Sequence, residues 1–301
     1  MDDPNTSWRS VLSHPIDIEH FQPLSSAAML EIDAVSAAGA LRSYNTDHFL
    51  AVRLSRTQET LLSSLPESDL PPPFSESGYF LVVADGLGDR GSGARASRVA
   101  LSTLAHLAIR YGKWNLRIDS SDIDSVTEQG EFFYRRAHDA MLEARRAHPM
   151  LADMAVALTA MYVVGGDLFF AHVGHAKGFL FRDGNLVQLT IDHTLDPERP
   201  DENGSTPPAR YKNDFAHQLT DVVGGTSDPR IDIEHFEIFT GDRLLLCTNG
   251  LTDALSAHDI ASVLALQRRP TDDCQRLLEL ARAAHAADDV TVLVADYRLQ
   301  R

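Results

Sequence analysis

The sequence predicts an α+β fold in which two β-sheets are flanked by helices. Apolar runs typical of strands occur towards both ends of the 301-residue chain, and two long helical patterns lie between them. Neither a linker nor an internal repeat divides the sequence, and a hydrophobic content of 44% is enough for a full core. We therefore expect a single domain over residues 27–299, preceded by a loosely held leader over residues 1–26.

The first half of the chain is predicted to hold three strands followed by two long helices. In order, these are strands at 27–40, 49–54 and 79–84 and helices at 94–111 and 128–148. Residues 55–77 contain several prolines and serines, so we expect an insertion there, with a helical turn followed by a surface loop. Pro149 ends the second helix, because the residue before a proline is disfavoured in the helical conformation.

The second half is predicted to begin with a β-meander over residues 157–190. Gly165-Gly166 and Asp183-Gly184 supply its tight turns. The charged, proline-rich residues 196–214 are expected to form a mobile loop or flap. The remaining elements are predicted as strands at 231–239, 242–248 and 290–297 and helices at 256–267 and 272–284.

The net charge limits the kinds of partner. A formal charge of −16 disfavours binding to nucleic acid or to an anionic membrane. The same charge would repel a phosphorylated substrate at long range, unless a local cationic site or a bound metal reverses the field. A phosphate-binding function would therefore require such a site.

Targeting signals and disulfides are not expected. No apolar stretch approaches the roughly 18 residues of a membrane span, and the N-terminus lacks the basic and apolar regions of a signal peptide. These features predict a cytoplasmic protein. Cys247 and Cys274 are too few for a disulfide framework, so we expect them to be reduced thiols in the core.

The most informative stretch is Gly78–Gly93, where a buried strand stops at Asp85-Gly86. A carboxylate and a backbone carbonyl at the end of a strand are ligands that hard divalent cations prefer. Residues 86–91 also match the dinucleotide motif G-x-G-x-x-G, but Asp85 would place a negative charge where the pyrophosphate must lie. The acidic residue that this motif requires about 20 positions later is also missing. A plain glycine-rich turn is the remaining alternative for this stretch taken alone.

Polar residues recur where apolar runs end. They are Asp47, Asp85, His175, Asn249 and Asp288. Neighbouring strands end on a common edge of a sheet, so these side chains are expected to converge. Several oxygens at one spot repel each other unless cations lie between them, which predicts a metal site.

Five motifs, in order along the chain, resemble those of the PPM/PP2C family of metal-dependent serine/threonine protein phosphatases, bacterial branch. They are Arg42-x-x-Asn45-x-Asp47, VVADGLGD at 82–89, AHVGHAKGFLFRDGNLVQLTIDHTL at 171–195, LLLCTNGLTD at 244–253 and DDVTVLVADY at 288–297. The resemblance covers roughly residues 28–298. It implies a PP2C-like four-layer α/β/β/α sandwich, with two antiparallel sheets and the helices outside.

The resemblance also implies a binuclear site for Mn²⁺ or Mg²⁺. Asp85 would bridge both ions, and the Gly86 carbonyl would complete the coordination of one of them. Asp288 and Asn249 would hold the other ion, and Asp47 would orient metal-bound water. A metal-bridging hydroxide would then attack phosphoserine or phosphothreonine in line.

Arg42 is expected to grip the substrate phosphate with its guanidinium fork. A surface salt bridge is the alternative for this residue. The partners implied are a phosphoserine or phosphothreonine protein and a serine/threonine kinase.

The sequence departs from the family at the places where two acids are expected. Asn249 and His175 replace them, and Ala176 follows His175. The loss of two negative charges should lower metal affinity, and a third metal ion is not expected. His175 could ligate through nitrogen, which would favour Mn²⁺, could act as a general acid, or could simply hydrogen-bond to Asn249. His193, in the segment that matches L-T-x-D-H, is expected to be structural.

Two further departures lie near the metal motif, and together with Asn249 they leave two functions open. Asp89 replaces the second glycine of D-G-x-G-G, and residues 154–157 read MAVA instead of M-G-T-T. The first function is an active phosphatase with a reduced metal set, which the retained Asp47, Asp85 and Asp288 favour. The second is a pseudophosphatase that binds a phosphoprotein or kinase without hydrolysis.

Overall fold

The computed structural model describes residues 27–67, 70, 73–88, 91–111, 122–195 and 218–300. The leader predicted at 1–26 and the loop predicted at 196–214 lie outside the described residues, as does Asp89. The described residues form a sandwich of two five-stranded sheets, in which all strand pairs are antiparallel.

The two sheets draw strands from both halves of the chain. Sheet A contains, from edge to edge, β1 (Ala27–Ala37), β10 (Val290–Gln300), β9 (Arg243–Cys247), β6 (Lys177–Arg182) and β7 (Asn185–Gln188). Sheet B contains β2 (His48–Gln58), β3 (Phe74–Leu87), β4 (Ala155–Val164), β5 (Asp167–Val173) and β8 (Asp232–Glu237). In sheet A, β1 pairs with β10, so the first and last strands of the described residues lie side by side.

Helices cover the outer face of each sheet. On sheet B lie α1 (Ser92–Tyr111) and α2 (Ile123–Ala147), and on sheet A lie α3 (Asn249–Ala254), α4 (Ala257–Leu264) and α5 (Pro270–Ala283). Leu101 and Leu104 of α1 are among the apolar residues that pack on sheet B, as their helical spacing predicts. The result is the predicted four-layer α/β/β/α sandwich, and the predicted fold class is confirmed.

The core lies in three layers. Residues between the two sheets include Leu81, Met161, Leu244 and Leu293, all of which are fully buried. A second apolar cluster joins sheet A to its helices, and a third joins sheet B to α1 and α2. Among the described residues, no helix is both long and apolar enough to cross a membrane.

Three local predictions differ from the structure. The predicted insertion at 55–77 is too long, because its two ends belong to strands: β2 and β3 pair continuously from His48 opposite Ala84 to Gln58 opposite Phe74. This hairpin extends past the core, where side chains need not be apolar, and the apolar pattern therefore underestimates its length. Helix α2 begins at Ile123 rather than at 128, and the short α3 was not predicted.

The strand connections at one end of the sandwich bring the predicted site residues to a common edge. Asp85 lies near the end of β3, and Asp47 directly precedes β2, which pairs with β3. Asn249 follows β9 and Asp288 precedes β10, and these two strands pair with Cys247 opposite Val292. His175 lies in the turn between β5 and β6. We call this end of the sandwich, defined by the five residues named here, the rim.

Candidate active site

Asp47 is held in one orientation by two threonines. The hydroxyls of Thr248 and Thr291 donate to Asp47 Oδ2 at 2.7 and 2.9 Å. The backbone N–H of Thr291 in turn donates to the Thr248 hydroxyl oxygen at 3.0 Å. The other carboxylate oxygen, Asp47 Oδ1, is buried and has no hydrogen-bond partner among the described residues. One face of this carboxylate is therefore fixed, while the other face can accept a ligand.

Burial and neighbouring acids raise the pKa of Asp47 and of Asp85. Burial raises the pKa of Asp47 to about 7, against the hydrogen bonds from the two threonines, and the charges of Asp289 and Asp288 raise it further. Burial also raises the pKa of Asp85 well above its usual value, with Asp47 as the next cause. Buried carboxylates with a raised pKa are stabilised either by protons or by a cation.

Gly86 is required by close packing. A Cβ atom at this position would lie 2.1 Å from the carbonyl oxygen of Gly93 and 2.7 Å from that of Thr46. The end of β3, the first turn of α1 and the loop before β2 therefore meet around this glycine. This contact explains the Asp-Gly pair in physical terms: any larger residue after Asp85 would push the rim apart.

The guanidinium group of Arg42 is not available to a phosphate at the rim, because it is paired with Asp288. Its Nε and Nη2 atoms lie 2.7 and 2.6 Å from Asp288 Oδ1, and both side chains are partly exposed. The alternative of a salt bridge therefore describes this arrangement, and the partner is the acid expected to ligate a metal. Phosphate contact by Arg42 would require this ion pair to open.

His175 and Asn249 both reach the rim, but they contact different acids. His175 Nε2 lies 3.7 Å from Asp85 Oδ2. The Asn249 amide donates to Asp253 Oδ2 at 3.3 Å. Asn249 Oδ1 is buried and accepts no hydrogen bond from any described residue, so His175 does not donate to it.

Asp289 supports the rim, although its role was not predicted. Its Oδ2 atom accepts hydrogen bonds from the backbone N–H and the hydroxyl of Thr46 at 2.7 and 2.9 Å, and its Oδ1 atom accepts from the Gly39 N–H at 3.1 Å. The loop that carries Arg42 and Asp47 is thereby tied to the start of β10. Thr248 and Thr291 were also not predicted. Both lie within the quoted motifs at 244–253 and 288–297, but these motifs do not reveal the contact with Asp47, because the hydrogen bonds span more than 200 residues.

The donor set at the rim suits a hard divalent cation, but it is not assembled around one. Among the described residues, no three His, Cys, Asp or Glu side chains form a group that could hold an ion as they stand. The two orphaned oxygens, Asp47 Oδ1 and Asn249 Oδ1, and the buried carboxylate of Asp85 are nevertheless oxygen donors in need of a positive partner. Asp288, by contrast, already has a positive partner, because its carboxylate pairs with the Arg42 guanidinium.

A cleft beside the rim offers access to it. Its volume is about 460 Å³, and it lies between α3 and the residues that follow α5. Its polar lining includes His175, Asn249, Asp253, His285 and Asp288. A substrate in this cleft would approach the acids from the side of Asn249.

The other predicted residues have structural roles or are unassigned. His193 is 1% exposed, and Cys247 and Cys274 are buried free thiols, as predicted. Burial raises the pKa of each thiol to about 12, so neither is a thiolate near neutral pH. Residues 155–157, where the family's glycine and threonines are missing, form the start of β4 and pair with β3 at Asp85 to Leu87.

Comparisons with known proteins agree with this fold and these motifs. Residues 204–298 match the family model described as stage II sporulation protein E, SpoIIE. The chain is 30% identical over 217 residues to the serine/threonine protein phosphatase PstP of Mycobacterium tuberculosis, a match that covers 72% of this chain and 40% of PstP. It is 26% identical over 217 residues to protein phosphatase PhpP of Streptococcus pneumoniae, covering 70% of this chain and 83% of PhpP.

A solved structure of the PstP catalytic domain in complex with two manganese ions superposes with a TM-score of 0.66. The sequence identity is 26%, and the superposition covers 90% of this chain and 99% of the other. The matched part of this chain spans less than half the length of full PstP. The order of the motifs, the two-sheet sandwich and these relatives confirm the predicted resemblance: the chain is similar in sequence and fold to the PPM/PP2C phosphatases.

Proposed function

We propose that the protein is a metal-dependent phosphatase that hydrolyses phosphoserine and phosphothreonine in proteins. One observation carries the proposal: Asp47 and Asp85 are buried together at the rim, burial raises the pKa of both, the charge of Asp47 raises that of Asp85 further, and an oxygen of Asp47 accepts no hydrogen bond from the described residues. Burying two adjacent carboxylates costs free energy, so a site that no longer bound a metal would not need to keep both of them. The names of PstP and PhpP and the manganese ions of the PstP structure support the same reading.

Four residues would hold the ions: Asp85 and the Gly86 carbonyl on one side, and Asp288 and Asn249 on the other. Two Mn²⁺ or Mg²⁺ ions would supply charge neutralisation for the phosphoryl oxygens and activation of water. Asp288 can take part only after its ion pair with Arg42 opens. Because Asn249 is uncharged, we expect this side of the site to be the weaker one.

The remaining residues would position the substrate and the water. The fixed carboxylate of Asp47 would orient the attacking water through its Oδ1 atom, since Oδ2 is occupied by Thr248 and Thr291. Arg42, once released from Asp288, would bind two phosphoryl oxygens with its fork. A bond from water oxygen to phosphorus then forms as the bond from phosphorus to the serine or threonine oxygen breaks.

His175 has two possible roles in this reaction. Its Nε2 atom faces Asp85 at 3.7 Å from Oδ2, which is compatible with a nitrogen ligand that joins the same ion. The imidazole could instead give a proton to the leaving serine or threonine oxygen. A His175→Gln variant separates these roles: loss of Mn²⁺ affinity indicates the ligand, and loss of turnover at unchanged affinity indicates the acid.

A second function, a pseudophosphatase that binds a phosphoprotein or a kinase, is favoured by a different observation. Arg42 closes off Asp288 with a pair of contacts shorter than 2.8 Å, and the other ligand on that side is the neutral Asn249. Because Arg42 neutralises Asp288, the rim could keep its structure without a bound metal ion. In that case the protein would bind phosphoproteins and would not turn them over.

Hydrolysis of p-nitrophenyl phosphate tests the two functions against each other. The phosphatase proposal predicts turnover that depends on Mn²⁺, and it predicts that Asp85→Ala abolishes this turnover. A phosphothreonine peptide should also be hydrolysed, with release of inorganic phosphate. If wild-type protein saturated with Mn²⁺ shows no metal-stimulated turnover of either substrate, the phosphatase proposal is wrong and the binding function replaces it.

A further inference from the structure

We propose that His193 is a positioning residue for the turn that carries His175, and that Asp232 orients His193. The proposal deepens the phosphatase function and rests on it where turnover is concerned. His193 lies in the segment between β7 and β8, and it contacts the turn between β5 and β6 through both its backbone and its side chain.

The contacts of His193 converge on Gly174, the residue directly before His175. The backbone N–H of His193 donates to the Gly174 carbonyl at 2.7 Å. The Gly174 N–H donates back to His193 Nδ1 at 3.4 Å. Both polar groups of the Gly174 backbone are therefore bound by a single residue.

The far side of the imidazole ring is bound by Asp232. His193 Nε2 lies 2.9 Å from Asp232 Oδ2, and the His193 side chain is fully buried. An N–H group can only donate and a carboxylate can only accept, so the ring must carry its proton on Nε2 and accept on Nδ1. Asp232 therefore selects the tautomer that can bind Gly174. Arg230, 3.2 Å away, pairs with the same carboxylate.

The turn leaves little freedom around His175. Gly174 has a φ of +104°, and a Cβ atom there would lie 2.5 Å from Ala157 Cβ, so this backbone conformation is available to glycine only. On the other side of His175, the Ala176 carbonyl accepts a hydrogen bond from the Thr159 hydroxyl at 2.7 Å. His175 is thus bracketed by two bound neighbours, and it projects to within 3.7 Å of Asp85 Oδ2.

The ring of His172 completes the support. It packs edge-on against His193 with ring centroids 4.9 Å apart, and its Nδ1 atom lies 2.8 Å from Thr159 Oγ1. His172 therefore links the supports on the two sides of His175, because it contacts both His193 and Thr159. The hydrogen bonds run in series from the Asp232 carboxylate through the His193 imidazole to the Gly174 amide. Hydrogen bonds of this kind, one step removed from a functional side chain, fix its orientation in proteins.

Two substitutions of His193 separate positioning from simple packing. In His193→Asn the side-chain oxygen replaces Nδ1 as the acceptor for Gly174 but cannot reach Asp232. In His193→Gln the longer amide keeps a donor for Asp232 but has no acceptor at the position of Nδ1. Positioning predicts that His193→Asn keeps kcat/KM for p-nitrophenyl phosphate within about threefold of wild type, whereas His193→Gln loses roughly 10- to 100-fold. The melting temperature should fall more in His193→Asn, because that variant loses the contact with Asp232.

A readout that does not need turnover keeps the test independent of the proposed function. In the metal-free protein, the amide proton resonance of Gly174 should shift in His193→Gln and stay near its wild-type position in His193→Asn. If wild type hydrolyses nothing, the phosphatase proposal fails while the Gly174 resonance still decides the role of His193. An unshifted Gly174 resonance in His193→Gln overturns the positioning role, and so do equal activities per folded molecule in the two variants of an active wild type.

Asp232 provides a second pair of variants in case His193→Asn does not fold. Its side chain is 31% exposed, so a substitution there leaves no large cavity. Asp232→Ala should shift the Gly174 resonance and lower kcat/KM roughly tenfold, and the matched control Asp232→Asn, which keeps an acceptor, should do neither. Identical behaviour of Asp232→Ala and Asp232→Asn also overturns the proposal.

Discussion

At the scale of single residues, the chemistry of the rim is governed by burial. Asp47 is 3% exposed and Asp85 is 4% exposed, and in the metal-free protein each can be accommodated most easily by binding a proton. The two threonine hydroxyls that bind Asp47 favour its charged form but do not outweigh burial. Burial of these two acids therefore costs free energy, and a bound cation would reduce that cost.

The first prediction concerns the pH dependence of metal-free stability. The pKa of Asp47 is raised from 3.8 to about 7 in the folded protein, so between these values the folded state binds more protons than the unfolded state. The free energy of unfolding of the metal-free protein should therefore decrease as the pH rises from about 4 to about 7, by up to a few kcal/mol. Urea denaturation in the presence of a chelator at several pH values measures this.

Asp47→Asn is the control for this pH dependence, since an amide does not titrate. The variant should lose a large part of the slope between pH 4 and 7. Stability of the metal-free wild type that instead rises steadily through this window would show that Asp47 is ionised and well solvated.

The second prediction concerns the missing charge at Asn249. Asn249→Asp restores a carboxylate next to the acids of the rim, and an added unit charge attracts a divalent cation strongly at short range. We expect Mn²⁺ affinity to rise tenfold or more, with turnover rising in parallel, as measured by calorimetric titration and by p-nitrophenyl phosphate assays.

The matched control is Asn185→Asp, which adds the same charge at the exposed start of β7, where Asn185 Nδ2 donates to the Asp183 carbonyl. It should change Mn²⁺ affinity much less than Asn249→Asp does. If Asn249→Asp tightens metal binding but lowers turnover, the neutral amide is itself part of the catalytic arrangement and the missing charge is not a defect.

At the scale of elements, the rim depends on how the loop between β1 and β2 is attached. Asp289, at the start of β10, binds the backbone of this loop at Gly39 and Thr46. Arg42, within the loop, binds the neighbouring Asp288. Adjacent acids therefore have different partners: Asp289 binds the backbone of the loop, and Asp288 pairs with Arg42. In the proposed function, Asp288 would exchange this arginine for a cation.

The third prediction follows from that exchange. Arg42→Ala frees Asp288, so Mn²⁺ should bind more tightly, by roughly three- to tenfold, because a competing positive charge is removed. The same variant should raise KM for a phosphopeptide at least tenfold, because it removes the proposed phosphate fork. Calorimetry with Mn²⁺ and steady-state kinetics measure these opposite effects.

Arg135→Ala is the control, since Arg135 forms an exposed ion pair with Glu131 within α2. It should change neither quantity. A fall in Mn²⁺ affinity in Arg42→Ala would contradict the exchange and would indicate that Arg42 helps to build the metal site.

At the scale of the whole molecule, a buried ion network joins sheet A to its helices. Arg243 of β9 is 3% exposed and contacts Asp273 of α5 at 2.8 Å and Asp296 of β10 at 2.6 Å. Its guanidinium also donates to the Leu264 and Arg268 carbonyls. Two acids and two carbonyls therefore share one arginine at the start of β9, whose other end leads to Asn249.

The fourth prediction concerns this network. Arg243→Met leaves Asp273 buried without its main partner, and the free energy of unfolding should fall by about 3–5 kcal/mol. Arg135→Met, in an exposed pair, should cost less than about 1 kcal/mol. Chemical denaturation of both variants provides the comparison, and equal losses would mean that the network carries no special stability.

The order of elements and the gathering of acids at one end could be predicted, because both depend on local patterns. Strand and helix periods mark the layers, and Asp85 and Asp288 lie directly beside apolar runs whose ends must meet. The motif order then predicted the fold family, which the comparisons confirm.

Other features depend on distant pairings that no local pattern encodes. The hydrogen bonds of Asp289 to Thr46 and of Thr248 to Asp47 each join residues more than 200 positions apart. The pairing of Arg42 with Asp288 is of the same kind, and it changes the expected state of a predicted metal ligand. Such contacts are decided by the fold as a whole.

Direct titration of the purified, chelator-treated protein with Mn²⁺, in wild type and in Asp85→Asn, tests the central claim that the rim is a cation site. Wild type should bind Mn²⁺ saturably and gain thermal stability on binding, and Asp85→Asn should lose at least the tighter part of the binding isotherm. Wild-type protein that binds no Mn²⁺, or an Asp85→Asn variant that binds it as tightly as wild type, would contradict the account.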